Sequence, residues 1–276
     1  MRIEPTEGIK VKFKLGIIGA GVMGQAILKS IAEKKLLAPS NISVFDLSKE
    51  KTETLKENGF SVCSSAKELV AESEYILIAV KPQHFDSLAE EIKLSEKNTV
   101  ISIMAGIKTS TLSAKLGKTI GIARVMPNTP CQIGKGVCAV VYKNLNEEKQ
   151  SFVKQLLSCC GEVVDVEEQY FDAVTSVSGS GPAYVYMFID GMIKGGIDGG
   201  LSYEQSKKLA VNTVIGAALL SLSSDDLPEI LTEKVCSKGG TTIEAVKVYR
   251  EKGLETLIRE GISACRKRSE EMSKSI

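Results

Sequence analysis

The sequence predicts an α/β protein: an N-terminal half built on a mainly parallel sheet, then an all-helical C-terminal half. Three observations predict it. From Lys14 to about Tyr142, short apolar runs alternate with helical stretches, the rhythm of strands joined by right-handed helical crossovers. Those runs are almost continuously apolar, as strands covered on both faces are. From about Asn146 onward the strand signal stops, save for one short stretch over 163–166, and Ala, Leu, Ile and Val recur at helical spacing.

The elements follow in order. A strand over 15–18 leads into a helix over 22–33, and a strand over 42–45 into a polar helix over 49–58. A strand over 60–63 leads into a helix over 66–71, and a strand over 75–80 into a helix that opens after Pro82. Strands over 99–104, 120–125 and 137–142 close the set. Helices are then expected over 183–195, 203–222, 226–235, 242–249 and 253–272. Ser202, followed by Tyr203, Glu204 and Gln205, reads as a helix cap. The boundary falls near Val166, dividing the chain into 1–166 and 167–276. Gly191, Gly195, Gly196, Gly199 and Gly200 crowd one region. Glycine costs a helix about 1 kcal/mol relative to alanine. Two readings stay open: close backbone approach, or a helix that ends at Gly195 in a loose connection.

Composition narrows the function classes. The chain has 276 residues, 43% hydrophobic and 25% charged, enough for one large core or two moderate ones. A formal net charge of +1 gives no long-range field to gather nucleic acid or an anionic membrane, so neither is an expected partner. The cluster Arg266-Lys267-Arg268 is followed by Glu270 and Glu271 and reads as a solvated helix face. No apolar run reaches membrane-spanning length. Residues 1–14 lack the apolar stretch of a signal peptide and are expected to be a frayed leader. Seven cysteines, an odd number without a CxxC pair, argue against a disulfide framework or a structural zinc site. They read as reduced thiols used as small apolar residues, which places the chain in the cytoplasm.

Gly19-Ala20-Gly21-Val22-Met23-Gly24 matches G-x-G-x-x-G where a strand gives way to a helix, the context in which that pattern binds a dinucleotide. The first glycine permits the tight turn, the second lets the pyrophosphate approach, and the third lets helix and strand pack. The helix N-terminus offers free amides and partial positive charge. The half 1–166 is thus expected to be an NAD(P)-binding, Rossmann-like domain. Asp46, about twenty residues on, stands where an acid bonds the adenine ribose. Its charge favours NADH over NADPH, while Ser48, Lys49 and Lys51 just beyond can hold a 2′-phosphate. Both NAD(H) and NADP(H) stay open.

Four motifs carry a resemblance over about 14–273. They are Ala79-Val80-Lys81-Pro82, Val125-Met126-Pro127-Asn128-Thr129-Pro130, Asp172-Ala173-Val174-Thr175-Ser176-Val177-Ser178-Gly179-Ser180-Gly181-Pro182-Ala183-Tyr184 and Val235-Cys236-Ser237-Lys238-Gly239-Gly240-Thr241-Thr242-Ile243-Glu244-Ala245. Together they resemble pyrroline-5-carboxylate reductase. The resemblance implies reduction of the cyclic imine 1-pyrroline-5-carboxylate to L-proline with NAD(P)H, the last step of proline synthesis. It implies a helical half, 167–276, that interlocks with a second subunit, in a homodimer that assembles further to a decamer. It makes Thr242 the catalytic position and Ser237, Gly239, Gly240, Thr241 and Thr242 the substrate turn, which the partner subunit can supply. Val80, Lys81 and Pro82 become the loop beside the cofactor, and Asn128 and Thr129 lie near the nicotinamide. The amides before the expected helix suit a substrate carboxylate by the physics of the phosphate site. A threonine hydroxyl is a poor acid, so Thr242 is expected to orient an iminium that binds already protonated, with rate coming from proximity.

Two positions depart from the family pattern: Lys238 replaces a proline, and Ala66 stands where some members carry an asparagine that contacts the cofactor. The only histidine, His84, is expected at the surface, and its lack of company suits imine better than ketone reduction. A 3-hydroxyacid reductase would need a lysine on the interdomain helix, for which Lys194 is the one candidate. A cofactor-sensing regulator would not need the turn at 237–242.

Overall fold

Residues 11–274 are described in the computed structural model. The leader expected over 1–14 therefore lies mostly outside the described residues. Its end is a correction: Phe13 and Lys14 already belong to the first strand, where Lys14 Nζ bonds Glu74 at 2.8 Å and lies over the Tyr75 and Phe152 rings.

The α/β part is one eight-stranded sheet. Its strands are β1 (Phe13–Ile18), β2 (Ile42–Phe45), β3 (Ser61–Val62), β4 (Ser73–Ile78), β5 (Thr99–Ser102), β6 (Gly121–Met126), β7 (Gly136–Lys143) and β8 (Gly161–Asp165). They lie in the order β3-β2-β1-β4-β5-β6-β7-β8. Every pairing is parallel except β6 with β7. The exception has a chain-length cause. The connection 127–135 is too short for a parallel crossover, which takes a dozen residues or more. Helices α1 (Val22–Glu33), α2 (Lys49–Glu57), α3 (Ala66–Glu72), α4 (Phe85–Glu91), α5 (Thr109–Leu116) and α6 (Glu147–Ser158) connect the strands. Two apolar clusters cover the sheet. One gathers Leu15, Ile17, Ile27, Leu77 and Ile101, the other Ile18, Leu69, Ile76, Ile78 and Val100. Each such fully buried side chain contributes roughly 1.5–3 kcal/mol.

Two of these helices stand outside the sequence expectation. α5, Thr-Ser-Thr-Leu-Ser-Ala-Lys-Leu, is made of residues that favour caps and turns, and its only apolar pair, Leu112 and Leu116, is too short a stripe to read. α6 carries a plainer signal: an Asn146 cap on the Lys149 amide, Glu147 and Glu148 in the first turn, and Val153, Leu156 and Leu157 buried.

After a helical turn at α7 (Phe171–Val174) the backbone widens into a π-helical turn, Thr175–Gly179. The chain packs as two compact units. One runs to Gly179 and takes the chain back from Arg266; the other is Ser180–Cys265. The second unit holds α8 (Gly181–Asp198), α9 (Tyr203–Ser223), α10 (Pro228–Lys234), α11 (Thr241–Glu251) and most of α12 (Leu254–Lys274). From Arg266 onward α12 belongs to the first unit, where Ser269 Oγ donates to Asp172 at 2.6 Å.

Within the second unit α8 packs on α9. Ser202 and Gln205 form the expected reciprocal cap. Of the crowded glycines, Gly196 answers to close approach: a Cβ there would lie 2.7 Å from Ser206 Oγ. Gly191 and Gly195 have nothing within 4 Å, and α8 runs past both to Asp198. This unit buries only Ile193 and Ala210 among its described apolar residues. Met187, Leu219, Leu222 and Leu257 are each at least 60% exposed. No helix among the described residues is long and apolar enough to cross a membrane.

Candidate active site

The glycine turn closes β1 and opens α1. Gly19 has φ +100°, and a Cβ on it would lie 2.7 Å from the Ala79 carbonyl oxygen, so the turn is pressed against the end of β4. Gly24 is tighter: a Cβ would fall 2.3 Å from Gly19 O, where helix crosses strand. Gly21, the N-cap of α1, has nothing within 4 Å of the same added atom. Those are the three roles a dinucleotide turn requires: a left-handed bend, an open face for the pyrophosphate, and a close crossing. No side chain caps α1, so its first amides are free for phosphate oxygens. The residues fit the cofactor.

Asp46 follows β2 directly and is engaged by the protein itself. Its Oδ2 accepts the Ala20 amide at 2.6 Å, its Oδ1 accepts the Ser48 amide at 2.8 Å, and Lys51 Nζ stands 3.9 Å away. The carboxylate therefore ties the second strand to the glycine turn, and its charge is partly met by two amides and a cation. Ala20 is buried, Met23 is half-buried against the core, and Val22 is 70% exposed. Val80, Lys81 and Pro82 follow β4 at the same edge of the sheet, and the Val80 amide lies 3.1 Å from the atom Gly19 lacks. The Lys81 carbonyl accepts the His84 amide in a short 3-10 turn, Pro82–His84, and His84 is exposed as expected. Ala66 is fully buried at the start of α3.

Asn128 follows β6 at that edge and is 9% exposed. Its Oδ1 accepts the Val137 amide at 2.9 Å, and its Nδ2 donates to the Ser178 carbonyl at 3.2 Å. It ties the start of β7 to the π-helical turn. Thr129 opens the short 3-10 helix Thr129–Ile133, which α1 braces through Ser30 Oγ on the Cys131 carbonyl at 3.0 Å.

A buried brace that the sequence did not reveal lies nearby. Arg124 on β6 is 5% exposed, covers the Phe171 ring at 4.3 Å and pairs with Glu168 at 2.9 Å. Glu168 also accepts the Thr109 amide at 2.7 Å and hydroxyl at 2.6 Å. Burial pushes its carboxyl up, but the Thr109 donors and Arg124 outweigh that and hold it below the usual carboxylate range. The partners are far apart in sequence, and only the fold joins them.

The second glycine turn is of another kind. Gly239 has φ +71°, and Gly240 donates its amide to the Ser237 carbonyl at 3.0 Å. Gly240 is the N-cap of α11, and no side chain caps that helix. A Cβ on Gly240 would lie 2.3 Å from Ser237 Oγ, so glycine is what lets the hydroxyl lie over the turn. The helix begins at Thr241, one residue before expectation, so Thr241 and Thr242 occupy its first turn. Ser237, Lys238, Gly239, Thr241 and Thr242 are all exposed. The result is a free helix N-terminus flanked by hydroxyls, which suits a carboxylate.

Two other readings have their own outcome. Lys194 is exposed and bonds Asp190 one helical turn away at 2.6 Å, an ordinary surface pair. All seven cysteines are free, and five are buried as small apolar residues. Burial, chiefly, pushes the Cys63 thiol up to about 11.

The comparisons with known proteins agree with this geometry. Residues 168–272 match the pyrroline-5-carboxylate reductase dimerisation family, and residues 14–106 match the family described as NADP oxidoreductase, coenzyme F420-dependent. The chain is 40% identical to pyrroline-5-carboxylate reductase of Aquifex aeolicus, over 92% of its own length and 96% of the relative's. It is 37% identical to that of Escherichia coli, over 95% and 99%. Among solved structures it is similar to Plasmodium falciparum pyrroline carboxylate reductase with NADP bound. That match has a TM-score of 0.87 and 31% identity, and covers 96% of this chain and 99% of the other. The Coxiella burnetii enzyme matches with a TM-score of 0.88 and 28% identity over 95% and 98%. On its motifs, its fold and its full-length relatives, the chain belongs to the pyrroline-5-carboxylate reductase family.

Proposed function

We propose that this chain reduces 1-pyrroline-5-carboxylate to L-proline with NAD(P)H. The observation that carries the reading is the pairing of a pre-formed dinucleotide turn, Gly19–Gly24, with a second free helix N-terminus at Ser237–Thr242. Full-length relatives of that name support it.

Residues Gly19, Ala20, Gly21, Val22, Met23 and Gly24 hold the pyrophosphate through the amides of α1. Val80, Lys81 and Pro82 line the loop beside the cofactor. When bound, the dihydronicotinamide supplies the hydride. The substrate carboxylate takes the amides of Gly239, Thr241 and Thr242, with the Ser237 hydroxyl as a further donor, while Gly240, its own amide held by the Ser237 carbonyl, shapes the turn. Thr242 Oγ1 accepts the N–H of the protonated imine and turns its carbon toward the hydride. The hydride forms the new C–H bond, the C=N π pair moves to nitrogen, and the secondary amine of proline results. Because the iminium carries its own proton, the protein needs no acid of near-neutral pKa.

Asp46 bears on the cofactor choice. Its carboxylate is compensated by the Ala20 and Ser48 amides and faced by Lys51, so it repels a 2′-phosphate less than a bare acid would. The reading is therefore dual use, with NADPH accepted beside NADH. The match to a dimerisation family and the exposed apolar side chains of the second unit support a homo-oligomer that acts on a small-molecule substrate; its further assembly from dimer to decamer is the reading the family resemblance implies. The free thiols suit the cytoplasm. Initial rates with pyrroline-5-carboxylate and either NADH or NADPH test the reading, and no turnover with either would remove it.

A further inference from the structure

We infer that Asn128 is a positioning residue for hydride transfer, acting through the π-helical turn Thr175–Gly179 rather than by touching the cofactor; this rests on the reading above. Both ends of its amide are spent on backbone, Oδ1 on the Val137 amide at 2.9 Å and Nδ2 on the Ser178 carbonyl at 3.2 Å. The residue is 9% exposed, so these bonds are made away from water, where an unmade one is costly.

The place of the bond gives it meaning. β1, β4, β5 and β6 run parallel, so Asn128, just beyond β6, stands at the same carboxyl edge as the glycine turn and the 80–82 loop. Ligands of such sheets lie along that edge. The turn that Asn128 holds is of a rare kind, and π turns inside helices are frequent at functional sites. The Thr175 and Ser176 hydroxyls are turned back onto the Phe171 and Ala173 carbonyls, and the Ser178 hydroxyl is buried without a partner. The carbonyl of that same Ser178 is the one Asn128 holds. On the other side of the turn a Cβ on Gly179 would lie 2.8 Å from Met126 Cε, so the turn is seated against the end of β6. Asn128 is therefore the polar tie, and Met126 the apolar seat, that fix where this turn stands at the carboxyl edge of the sheet, where the cofactor of the proposed reaction would lie.

Asn128→Asp separates the two arms. The carboxylate still accepts the Val137 amide but cannot donate to the Ser178 carbonyl. Steady-state rates should show kcat lowered about tenfold or more, since small misplacements of a reacting pair are that costly. KM for NAD(P)H should stay within about threefold, because no cofactor contact is lost. A wild-type kcat, or a raised KM for the cofactor with kcat unchanged, overturns the inference. Should the aspartate variant not fold, Asn128→Ala carries no buried charge and is read by the same split per folded molecule. Amide exchange reads the turn without any substrate, which separates this inference from the functional one. Faster exchange over 175–181 in the aspartate variant, with Val137 still protected, is expected. Equal protection of 175–181 overturns the inference whatever the substrate is.

Discussion

The glycine turns that open α1 and α11 are built in opposite ways. The turn before α1 is held from several sides: Asp46 takes the Ala20 amide, Ala79 crowds Gly19, and Gly19 crowds Gly24. The turn before α11 is held by one backbone bond, Gly240 to Ser237, and lies open. The same physics of free amides serves both. The difference is one of pre-organisation. A site enclosed by its own unit is complete before its ligand arrives. A site exposed on a unit that buries few of its apolar residues is completed by something else, a ligand or a second copy.

The sharpest way to break this comparison is to add single methyl groups to the first turn. Gly24→Ala puts an atom 2.3 Å from the Gly19 carbonyl oxygen, which is backbone and cannot step aside. Overpacking of that kind costs roughly 2–3 kcal/mol, so cofactor affinity should fall about a hundredfold and thermal stability with it. Gly21→Ala meets nothing in the protein and fills only the open face proposed for the pyrophosphate. It should weaken the cofactor about tenfold and leave the melting temperature unchanged. NADPH fluorescence titration and thermal melts read both variants. If both lost stability alike, Gly21 would not be the open face of the turn.

The second turn should respond in the reverse sense, in rate rather than in fold. Thr242 is exposed in the first turn of α11, where alanine is the better helix former. Thr242→Ala should leave the melt intact and lower kcat roughly tenfold to a hundredfold, the worth of one hydrogen bond to a charged group. Thr242→Ser, which keeps the hydroxyl, should recover most of it. An alanine variant with unaltered kcat would take Thr242 out of the mechanism.

The two turns also differ in how far the sequence reveals them. The first is legible because its constraints are local: three glycines at fixed spacing between an apolar run and an amphipathic one say nearly everything about Gly19, Gly21 and Gly24. The second is legible only through resemblance, since Ser-Lys-Gly-Gly-Thr-Thr has no strand before it to set the context. The strands were readable because burial on both faces leaves only apolar residues to choose from. α5 was not, because its Thr and Ser residues suit turns as well as helices. The roles of Asp46 and Asn128 divided in the same way. Spacing points to Asp46 and resemblance to Asn128, but their engagement with the Ala20 amide and the Ser178 carbonyl depends on contacts distant in sequence.

The buried brace at Arg124 and Glu168 gives the smallest effect and the clearest sign. Glu168 serves Thr109 on α5 and Arg124 on β6, and Arg124 is nearly sealed from water. Removing one partner of a buried pair strands the other, at 3–5 kcal/mol for full burial. Glu168 is 29% exposed on its side chain, so Glu168→Gln should cost less, roughly 2 kcal/mol and a few degrees of melting temperature at neutral pH. The folded carboxyl titrates below its unfolded value of about 4.3, so the folded state favours the charged form. Its contribution is fully present above that unfolded value and disappears as pH falls through the lower folded one. Melting temperature against pH should therefore show wild type and Gln variant well apart at neutral pH and converging toward the acid end. Curves that stay parallel through that window would mean that the pair contributes by shape alone, and that the first unit is held by its apolar clusters rather than by its charges.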